Sequence, residues 1–288
     1  MDGARIFIVA RSVHCWQLVR TYRHNLLGAL IRSRMLCLRP DLAAHMPNTS
    51  IPLATLSTAG FAKHHAFLSD AECEDLLAQI AVYRSSHELP EVYRQAGDRP
   101  LHYRVIDGKR ITEHLPDLVN VYEHVNVLIS EAMKERLVPL ADRRVGLNVN
   151  VTPAGGTYRW HYDRNAVTAI LYLNAVPGGE TEIYPNYRMF MEGARYSALQ
   201  RVADRVMEMR PVRSIFGKLV SVPPETGLLV AMRGNRCLHS VRPVEGEADR
   251  INIIMSYDRP GARFDVAPQL NRYLYESQGE TEDDPNYS

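Results

Sequence analysis

The part of the chain after Arg144 is a series of short apolar segments separated by turn-forming residues. The first segment, RVGLNVNVT, alternates apolar residues with glycine or asparagine, and this period predicts a half-buried strand. Six further strand-like runs follow it: AVTAILYLN, ETEIY, KLVSV, GLLVAM, CLHSV and INIIMSY. The turn-forming sequences PGG, PP, RGN and VEG lie between them. Short strands joined by turns predict a β-barrel or a double-sheet jelly roll.

Helical patterns come before this region. Ser69, followed by Glu72 three residues later, has the pattern of a capping box. The apolar face expected for this helix consists of Leu76, Leu77, Ile80 and Tyr83. A second helix is expected to begin at Pro116 and to continue to about Leu137. The predicted class is therefore a mainly β fold with flanking helices.

A long arginine-rich stretch, residues 186–217, interrupts the predicted strands and has a partly helical pattern. It is expected to be either a lid or binding element, or a solvated helix that makes a dimer contact. We expect three regions: a basic helical segment and linker at 1–58, a β domain at 59–275 that contains this insertion, and an acidic flexible tail at 276–288.

The N-terminal segment has seven arginines and no acidic residue between Gly3 and Pro40. Such a segment can be an organelle-targeting peptide, a surface-seeking helix, or a basic amphipathic helix docked on its own domain or on a partner subunit. We favour the docked helix. A homodimer is expected to form, if at all, through this segment or through the insertion.

The bulk properties exclude several classes of protein. A net charge of +1 over 288 residues argues against a dedicated nucleic-acid binder. The four cysteines are scattered and form no CxxC pair, so they indicate a reducing, cytoplasmic protein rather than a zinc knuckle or a disulfide framework. No apolar run approaches the roughly 18 residues that a membrane span needs.

The heptapeptide RWHYDRN contains two potential metal ligands, His161 and Asp163. Residues two apart on a strand project from the same face, so these side chains are expected to point together. His239, in the run CLHSV, is a candidate third ligand. Two histidines and one carboxylate form a facial triad, which leaves three positions of an octahedral iron open. With eleven histidines in the chain, structural or surface roles for these residues remain an alternative.

Two further residues have the chemistry of a carboxylate-binding site. Arg250 begins the run INIIMSY, and an arginine in a barrel interior can bind a carboxylate with two parallel hydrogen bonds. Its alternative role is an ordinary edge-strand charge. Tyr172, in AILYLN, faces either the core or the barrel lumen, where its phenol would bond the same carboxylate.

These motifs together resemble a known family. The segments HYD, AILYLN, GGETEIYP, PETGLLVAM and NRCLHSVRPVEGEADR occur in the order typical of the Fe(II)/2-oxoglutarate-dependent dioxygenases of the prolyl-hydroxylase-like branch. The resemblance covers about residues 60–257. It implies a double-stranded β-helix, with Fe(II) as cofactor and 2-oxoglutarate and O2 as co-substrates. It also implies the following roles: iron ligands His161, Asp163 and His239; 2-oxoglutarate-binding residues Arg250 and Tyr172; pocket-lining residues Tyr158 and Asn252.

The resemblance implies decarboxylation of 2-oxoglutarate to succinate, coupled to oxidation of a C–H bond. Halide-installing relatives lack the carboxylate of Asp163, so its presence implies hydroxylation, desaturation, oxidative dealkylation or ring formation. Arg159 and Arg164 flank the motif and either bind an anionic group of the substrate or form surface salt bridges.

We expect the substrate to be a small carboxylate-bearing metabolite, such as an amino acid or a natural-product intermediate. A peptidyl or prolyl side chain of a protein is the alternative, followed by a methylated nucleic acid. A binding module that has lost catalysis would have a broken triad or would lack the arginine, and neither is seen in the sequence.

Overall fold

The computed structural model describes residues 53–95, 99–189, 198–262 and 274–276. All of them belong to one compact unit, Asp41–Ser288. The expectations for the basic N-terminal segment before residue 53 and for the acidic tail after Glu276 lie outside the described residues.

The described strands form two antiparallel sheets. The larger sheet has the spatial order β1 (Phe61–His64), β10 (Leu229–Met232), β7 (Val167–Tyr172), β12 (Arg250–Asp258), β5 (Leu147–Thr152), β3 (Leu101–Asp107) and β2 (Glu91–Arg94), with β4 (Val138–Pro139) paired to β12. The smaller sheet has the order β6 (Tyr158–His161), β11 (Leu238–Val241), β8 (Thr181–Tyr184) and β9 (Val220–Val222). The predicted mainly β, jelly-roll class is confirmed.

Helices cover one face of the larger sheet. They are α1 (Leu56–Ala59), α2 (Asp70–Ser86), α3 (Gly108–His114), α4 (Pro116–Met133) and α5 (Arg143–Gly146), after a short 3-10 turn at Leu53–Thr55. The main hydrophobic core lies between α2, α4 and the apolar side chains of β5, β7, β10 and β12. The opposite face of this sheet remains available for a cavity.

The two predicted helices are present. The Ser69 side chain accepts a hydrogen bond from the backbone N–H of Glu72, whose carboxylate accepts one from the backbone N–H of Ser69, so the predicted capping box forms at the start of α2. Helix α4 begins at Pro116 as predicted but ends at Met133 rather than near Leu137. It ends there because Lys134 takes a left-handed conformation with φ 52° and caps the last turn.

Strand β5 differs from the half-buried strand that its alternation predicts, because all six of its residues are buried. Leu147, Val149 and Val151 pack in the helical core. The polar residues that alternate with them, Asn148, Asn150 and Thr152, line a cavity on the other face of the sheet. The strand also begins later than predicted, since Arg143–Gly146 is a helical turn.

The structure also has three strands among the first helices, which the sequence analysis did not predict. β1, β2 and β3 lie between or before the long helices. In β3 the apolar residues Leu101, Tyr103 and Val105 alternate with polar ones and are buried. This alternation is typical of a strand, so β3 could have been predicted from the sequence. β1 and β2 have four residues each, and segments this short give little periodicity to detect.

The insertion contains two helices, α6 (Ala198–Glu208) and α7 (Arg210–Phe216), between β8 and β9. They pack on aromatic side chains of β6 and its following loop. The Arg213 guanidinium lies 4.2 Å from the centre of the Trp160 ring, and Arg188 lies over Tyr162 at 4.9 Å. None of the described residues 198–217 lines the cavity. Among the helices that the structure describes, none is long and apolar enough to cross a membrane.

Candidate metal and co-substrate site

The three predicted metal ligands meet at the edge of the smaller sheet. His161 on β6 and His239 on β11 are direct partners across the two neighbouring strands. The His161 Nε2 atom lies 3.4 Å from Asp163 Oδ1, and the His239 Nε2 atom lies 3.5 Å from Asp163 Oδ2. One ligand atom from each side chain falls within 4.8 Å of the others. This is the arrangement of a three-ligand metal site with open positions.

The position of Asp163 depends on a turn rather than on strand alternation, because β6 ends at His161. The backbone N–H of Asp163 donates to the carbonyl of Gly234 at 3.1 Å. A Cβ atom at Gly234 would lie 2.9 Å from Asp163 Cβ and 2.7 Å from Thr168 Oγ1. The turn before β11 therefore needs a glycine to leave room for the carboxylate.

Hydrogen bonds to backbone carbonyls orient both histidines. The Nδ1 atoms of His161 and His239 lie 2.9 Å and 3.0 Å from the carbonyl oxygens of Arg159 and Cys237. A carbonyl can only accept, so each Nδ1 carries a proton. This orientation leaves the Nε2 atom of each ring as the nitrogen available to a metal.

The protonation states of the site also suit a cation. Burial and the neighbouring His161 lower the pKa of His239 to about 4, so its imidazole is neutral at pH 7. Burial opposes ionisation of Asp163, but His239, His161 and the Thr168 hydroxyl together hold the pKa of its carboxyl well below the usual range. A negative carboxylate and two imidazole rings are side chains that suit a divalent transition metal.

A second group of residues forms a buried cationic site in the same cavity. Arg250 is 2% exposed and donates from Nη1 to Asn252 Oδ1 at 2.5 Å and from Nη2 to Thr181 Oγ1 at 3.1 Å. Its Nε atom is buried and has no hydrogen-bond partner among the described residues. Burial lowers the pKa of this guanidinium.

No carboxylate of the described residues pairs with Arg250; its contacts are two neutral oxygens and the ring and hydroxyl of Tyr172. A buried charge is costly unless it is paired. A cavity that contains a guanidinium without a counter-charge is chemically suited to an anion. The distal carboxylate of 2-oxoglutarate has the charge and the planar shape to fill this position.

Tyr172 lies beneath this site rather than in it. The side chain is fully buried and belongs to the apolar cluster of the smaller sheet and β10, and it does not line the cavity. Its hydroxyl is 2.6 Å from Thr181 Oγ1 and also makes a side-chain hydrogen bond with Arg250. The phenol and the Thr181 hydroxyl therefore both contact the guanidinium, and Thr181, which has no distinctive signal in the sequence, is the one that lines the cavity.

The remaining predicted pocket residues do line the cavity: Tyr158, Arg159, Arg164 and Asn252. The Tyr158 ring lies 4.7 Å from the His161 ring and stacks on Tyr103 at 5.3 Å. The structure therefore brings together every predicted site residue except Tyr172 around one cavity.

Residues near the C-terminus complete one wall of the cavity, and the sequence did not indicate this. Leu274 and Tyr275 line it. The Tyr103 hydroxyl donates to the carbonyl of Leu274 at 2.9 Å, and the Asn148 amide lies 3.4 Å from the Tyr275 hydroxyl. Arg94 donates to the carbonyl of Glu276 at 3.1 Å. We call Leu274–Glu276 the C-terminal strap.

Neither a protein-family model nor a curated protein sequence matches this chain. Solved structures do match. The non-haem α-ketoglutarate-dependent epimerase SnoN from nogalamycin biosynthesis has a TM-score of 0.56 at 16% identity, covering 72% of this chain and 81% of that chain. The carbocyclase SnoK from the same biosynthesis has a TM-score of 0.56 at 15% identity, covering 83% and 96%.

A third match is HygX from Streptomyces hygroscopicus, with nickel and 2-oxoglutarate bound, at a TM-score of 0.50 and 14% identity over 75% of this chain and 88% of that chain. At these identities the similarity concerns the fold. The double-stranded β-helix that the sequence motifs implied is confirmed, and the chain has the fold of the non-haem 2-oxoglutarate-dependent enzymes.

Proposed function

We propose that the protein is a non-haem Fe(II)- and 2-oxoglutarate-dependent oxygenase. The observation that carries the proposal is one cavity that contains both a His-Asp-His cluster and an uncompensated buried arginine. The fold supports it, since SnoN has been solved with Fe3+ and α-ketoglutarate and HygX with nickel and 2-oxoglutarate.

Each group of residues has a defined task in this reaction. His161, Asp163 and His239 would hold the iron through two imidazole nitrogens and one carboxylate. When bound, iron supplies the positions at which 2-oxoglutarate and O2 react to give succinate, CO2 and an oxidised substrate. Arg250 and Thr181 bind the distal carboxylate and so orient 2-oxoglutarate toward the metal.

The substrate we propose is a small carboxylate-bearing metabolite, such as an amino acid or a natural-product intermediate. Arg159 and Arg164 both line the cavity. The pairing of β6 with β11 is irregular between His161 and Tyr158, and Arg159 lines the same cavity as His161. A carboxylate bound by Arg159 would therefore lie in the cavity that contains the three predicted iron ligands.

The oxidation we propose is a hydroxylation or another oxygen-driven step, such as desaturation, dealkylation or ring formation. Asp163 supports this, because its carboxylate takes the position that a halide would otherwise need. The wall formed by the C-terminal strap supports a small substrate over a protein side chain, since it narrows the cavity. The presence of His161, Asp163, His239 and Arg250 argues against a binding module that has lost catalysis.

A succinate-release screen tests the substrate class. We expect carboxylated metabolites and amino acids to stimulate succinate formation, whereas their amides or esters and proline-containing peptides should not.

Arg159→Gln should raise the KM for the carboxylated substrate while the affinity for 2-oxoglutarate is unchanged. Arg242→Gln, at a half-exposed arginine outside the cavity, is the matched control. Stimulation by peptides alone would show that the substrate is a protein.

A further inference from the structure

The exposed apolar side chains of the described surface are concentrated on the insertion. Of eleven large hydrophobic side chains that are exposed, eight lie between residues 189 and 219. They are Met189, Leu199, Val202, Val206, Met209, Ile215, Phe216 and Leu219, and we call them the insertion surface. A cluster of this kind on a protein surface marks an interaction site.

Helix α6 has the reverse of the usual amphipathic arrangement. Leu199, Val202, Val206 and the adjoining Met209 recur at intervals of three and four residues, so they form one stripe along the helix. Their exposure lies between 46% and 60%. Gln200 and Asp204, on the other side of the helix, are buried against the protein. The apolar stripe therefore points away from the domain.

Buried polar contacts fix this orientation. Arg188 donates to both carboxylate oxygens of Asp204, at 2.9 Å and 2.5 Å. Gln200 donates to the same carboxylate at 2.8 Å and to the Met189 carbonyl at 3.0 Å. Turning the stripe inward would break this buried ion pair and leave Asp204 without its partner. These contacts therefore hold the stripe on the outer side of the helix.

The charges around the stripe are mostly positive. The charged side chains of α6, α7 and the following residues that reach solvent are Arg201, Arg205, Glu208, Arg210 and Lys218. Four positive charges and one negative charge give a net charge of +3. Asp204 and Arg213 do not add to it, because both are buried. A complementary partner must therefore be apolar and negatively charged.

This charge disfavours the partners that the chain itself offers. A second copy paired through the same surface would bring two basic edges together. The N-terminal segment has seven arginines and no acidic residue between Gly3 and Pro40, and the sequence after Glu276 is acidic but almost without apolar side chains.

We propose that the insertion surface docks the protein on an anionic lipid bilayer. Apolar side chains of an interfacial helix enter the boundary between headgroups and acyl chains, while flanking arginines and lysines attract anionic lipids. The insertion surface has both components. The N-terminal segment, with its seven arginines, would add to the same attraction.

Vesicle sedimentation with the full-length protein tests the proposal. The protein should sediment with vesicles made of phosphatidylglycerol and phosphatidylcholine. The bound fraction should fall as the salt concentration is raised, and it should be small with vesicles of phosphatidylcholine alone. V202E/V206E should lower the bound fraction about tenfold or more, and R210E/K218E should lower binding to the anionic vesicles specifically. V82E/V127E, at valines with 57% and 55% exposure on α2 and α4, should bind like the wild type.

Several results would overturn the proposal. The proposal is wrong if the wild type does not sediment with the vesicles. It is also wrong if V202E/V206E binds as well as the wild type, since binding then lies elsewhere in the chain. A wild-type dimer in light scattering that V202E/V206E converts to a monomer would identify a second copy as the partner. Binding to an acidic amphipathic helical peptide but to no vesicle would identify a protein as the partner. Iron and 2-oxoglutarate binding should be intact in V202E/V206E, so this test is independent of the proposed enzymatic function.

Discussion

The Thr168 hydroxyl donates to Asp163 Oδ2 at 2.5 Å, and this hydrogen bond connects the two sheets. Thr168 is on β7 of the larger sheet, whereas Asp163 follows β6 of the smaller sheet. The Asn165 side chain in turn donates to Thr168 Oγ1 at 2.9 Å. The carboxylate of the metal site is thus oriented by the sheet that faces it.

Thr168→Val should weaken metal binding about 10- to 100-fold, because it removes a hydrogen bond that orients a ligand while keeping the side-chain shape. Anaerobic calorimetric titration with Fe(II) measures the affinity. Thr112→Val is the matched control, since Thr112 makes its hydrogen bond to Gly108 on α3, outside the cavity. Equal metal affinity in the two variants would contradict the role assigned to Thr168.

Gly234→Ala should reduce metal affinity with little change in the fold. The added methyl would lie 2.9 Å from Asp163 Cβ and must displace the carboxylate or the turn. Gly217→Ala gives the opposite expectation: its methyl would lie 2.4 Å from the Tyr184 ring, which does not line the cavity, so it should lower the melting temperature and leave metal affinity unchanged. The account is wrong if Gly234→Ala binds metal like the wild type.

Arg250→Met should reduce the affinity for 2-oxoglutarate by about 100-fold or more, since two charge-assisted hydrogen bonds are lost. Metal affinity should not change. Arg250→Lys should not restore binding, because an ammonium cannot offer two parallel donors. Titration of 2-oxoglutarate into the anaerobic Fe(II) protein gives these affinities.

The same variant tests whether Arg250 lacks a counter-charge. Removing an unpaired buried cation should leave the unliganded protein as stable as before, or more stable. Urea unfolding of the wild type and Arg250→Met checks this. A loss of about 3–5 kcal/mol, typical of breaking a buried ion pair, would mean that the guanidinium is paired within the protein.

Ending the chain after residue 273 should open the cavity to water by removing the C-terminal strap. Iron and 2-oxoglutarate should still bind, because none of the residues proposed to bind them lies in the strap. The consumption of 2-oxoglutarate without substrate oxidation should rise. A chain that ends after Glu276 keeps the strap and loses only the acidic tail, so it should behave like the full-length protein. If both truncations behave alike, the strap has no such role.

The metal-free protein should lose stability as the pH falls from about 6.5 to about 4. Burial and His161 lower the pKa of native His239 to about 4 from an ordinary value of 6.5. Within that window the unfolded chain takes up a proton that the native protein does not, so acid favours unfolding. Urea midpoints at several pH values measure the slope, and His239→Asn should flatten it. An equally steep slope in that variant would assign the effect to other groups.

The sequence was sufficient to predict that His161, Asp163 and His239 lie together, because their motifs are on neighbouring strands. His161 and His239 pair directly across β6 and β11, so two short motifs specify most of the site. The position of Arg250 was also predictable, because it begins a clear strand pattern. That strand, β12, lies in the middle of the larger sheet.

Contacts between distant segments could not be read from local patterns. Thr168, Thr181 and Gly234 reach the site through the pairing of strands far apart in sequence, and Tyr275 does so through a strap near the C-terminus. An amphipathic pattern normally predicts an apolar face toward the core. In α6 it points outward, because the buried pair of Arg188 and Asp204 sets the rotation of the helix.

The most direct test of the account is the visible spectrum of the anaerobic protein with Fe(II) and 2-oxoglutarate. Chelation of 2-oxoglutarate by iron should give a weak charge-transfer band. The band should be absent in His161→Ala and should require far higher 2-oxoglutarate in Arg250→Met. Absence of the band in the wild type, or an unchanged band in His161→Ala, would contradict the assignment of this cavity as an iron and 2-oxoglutarate site.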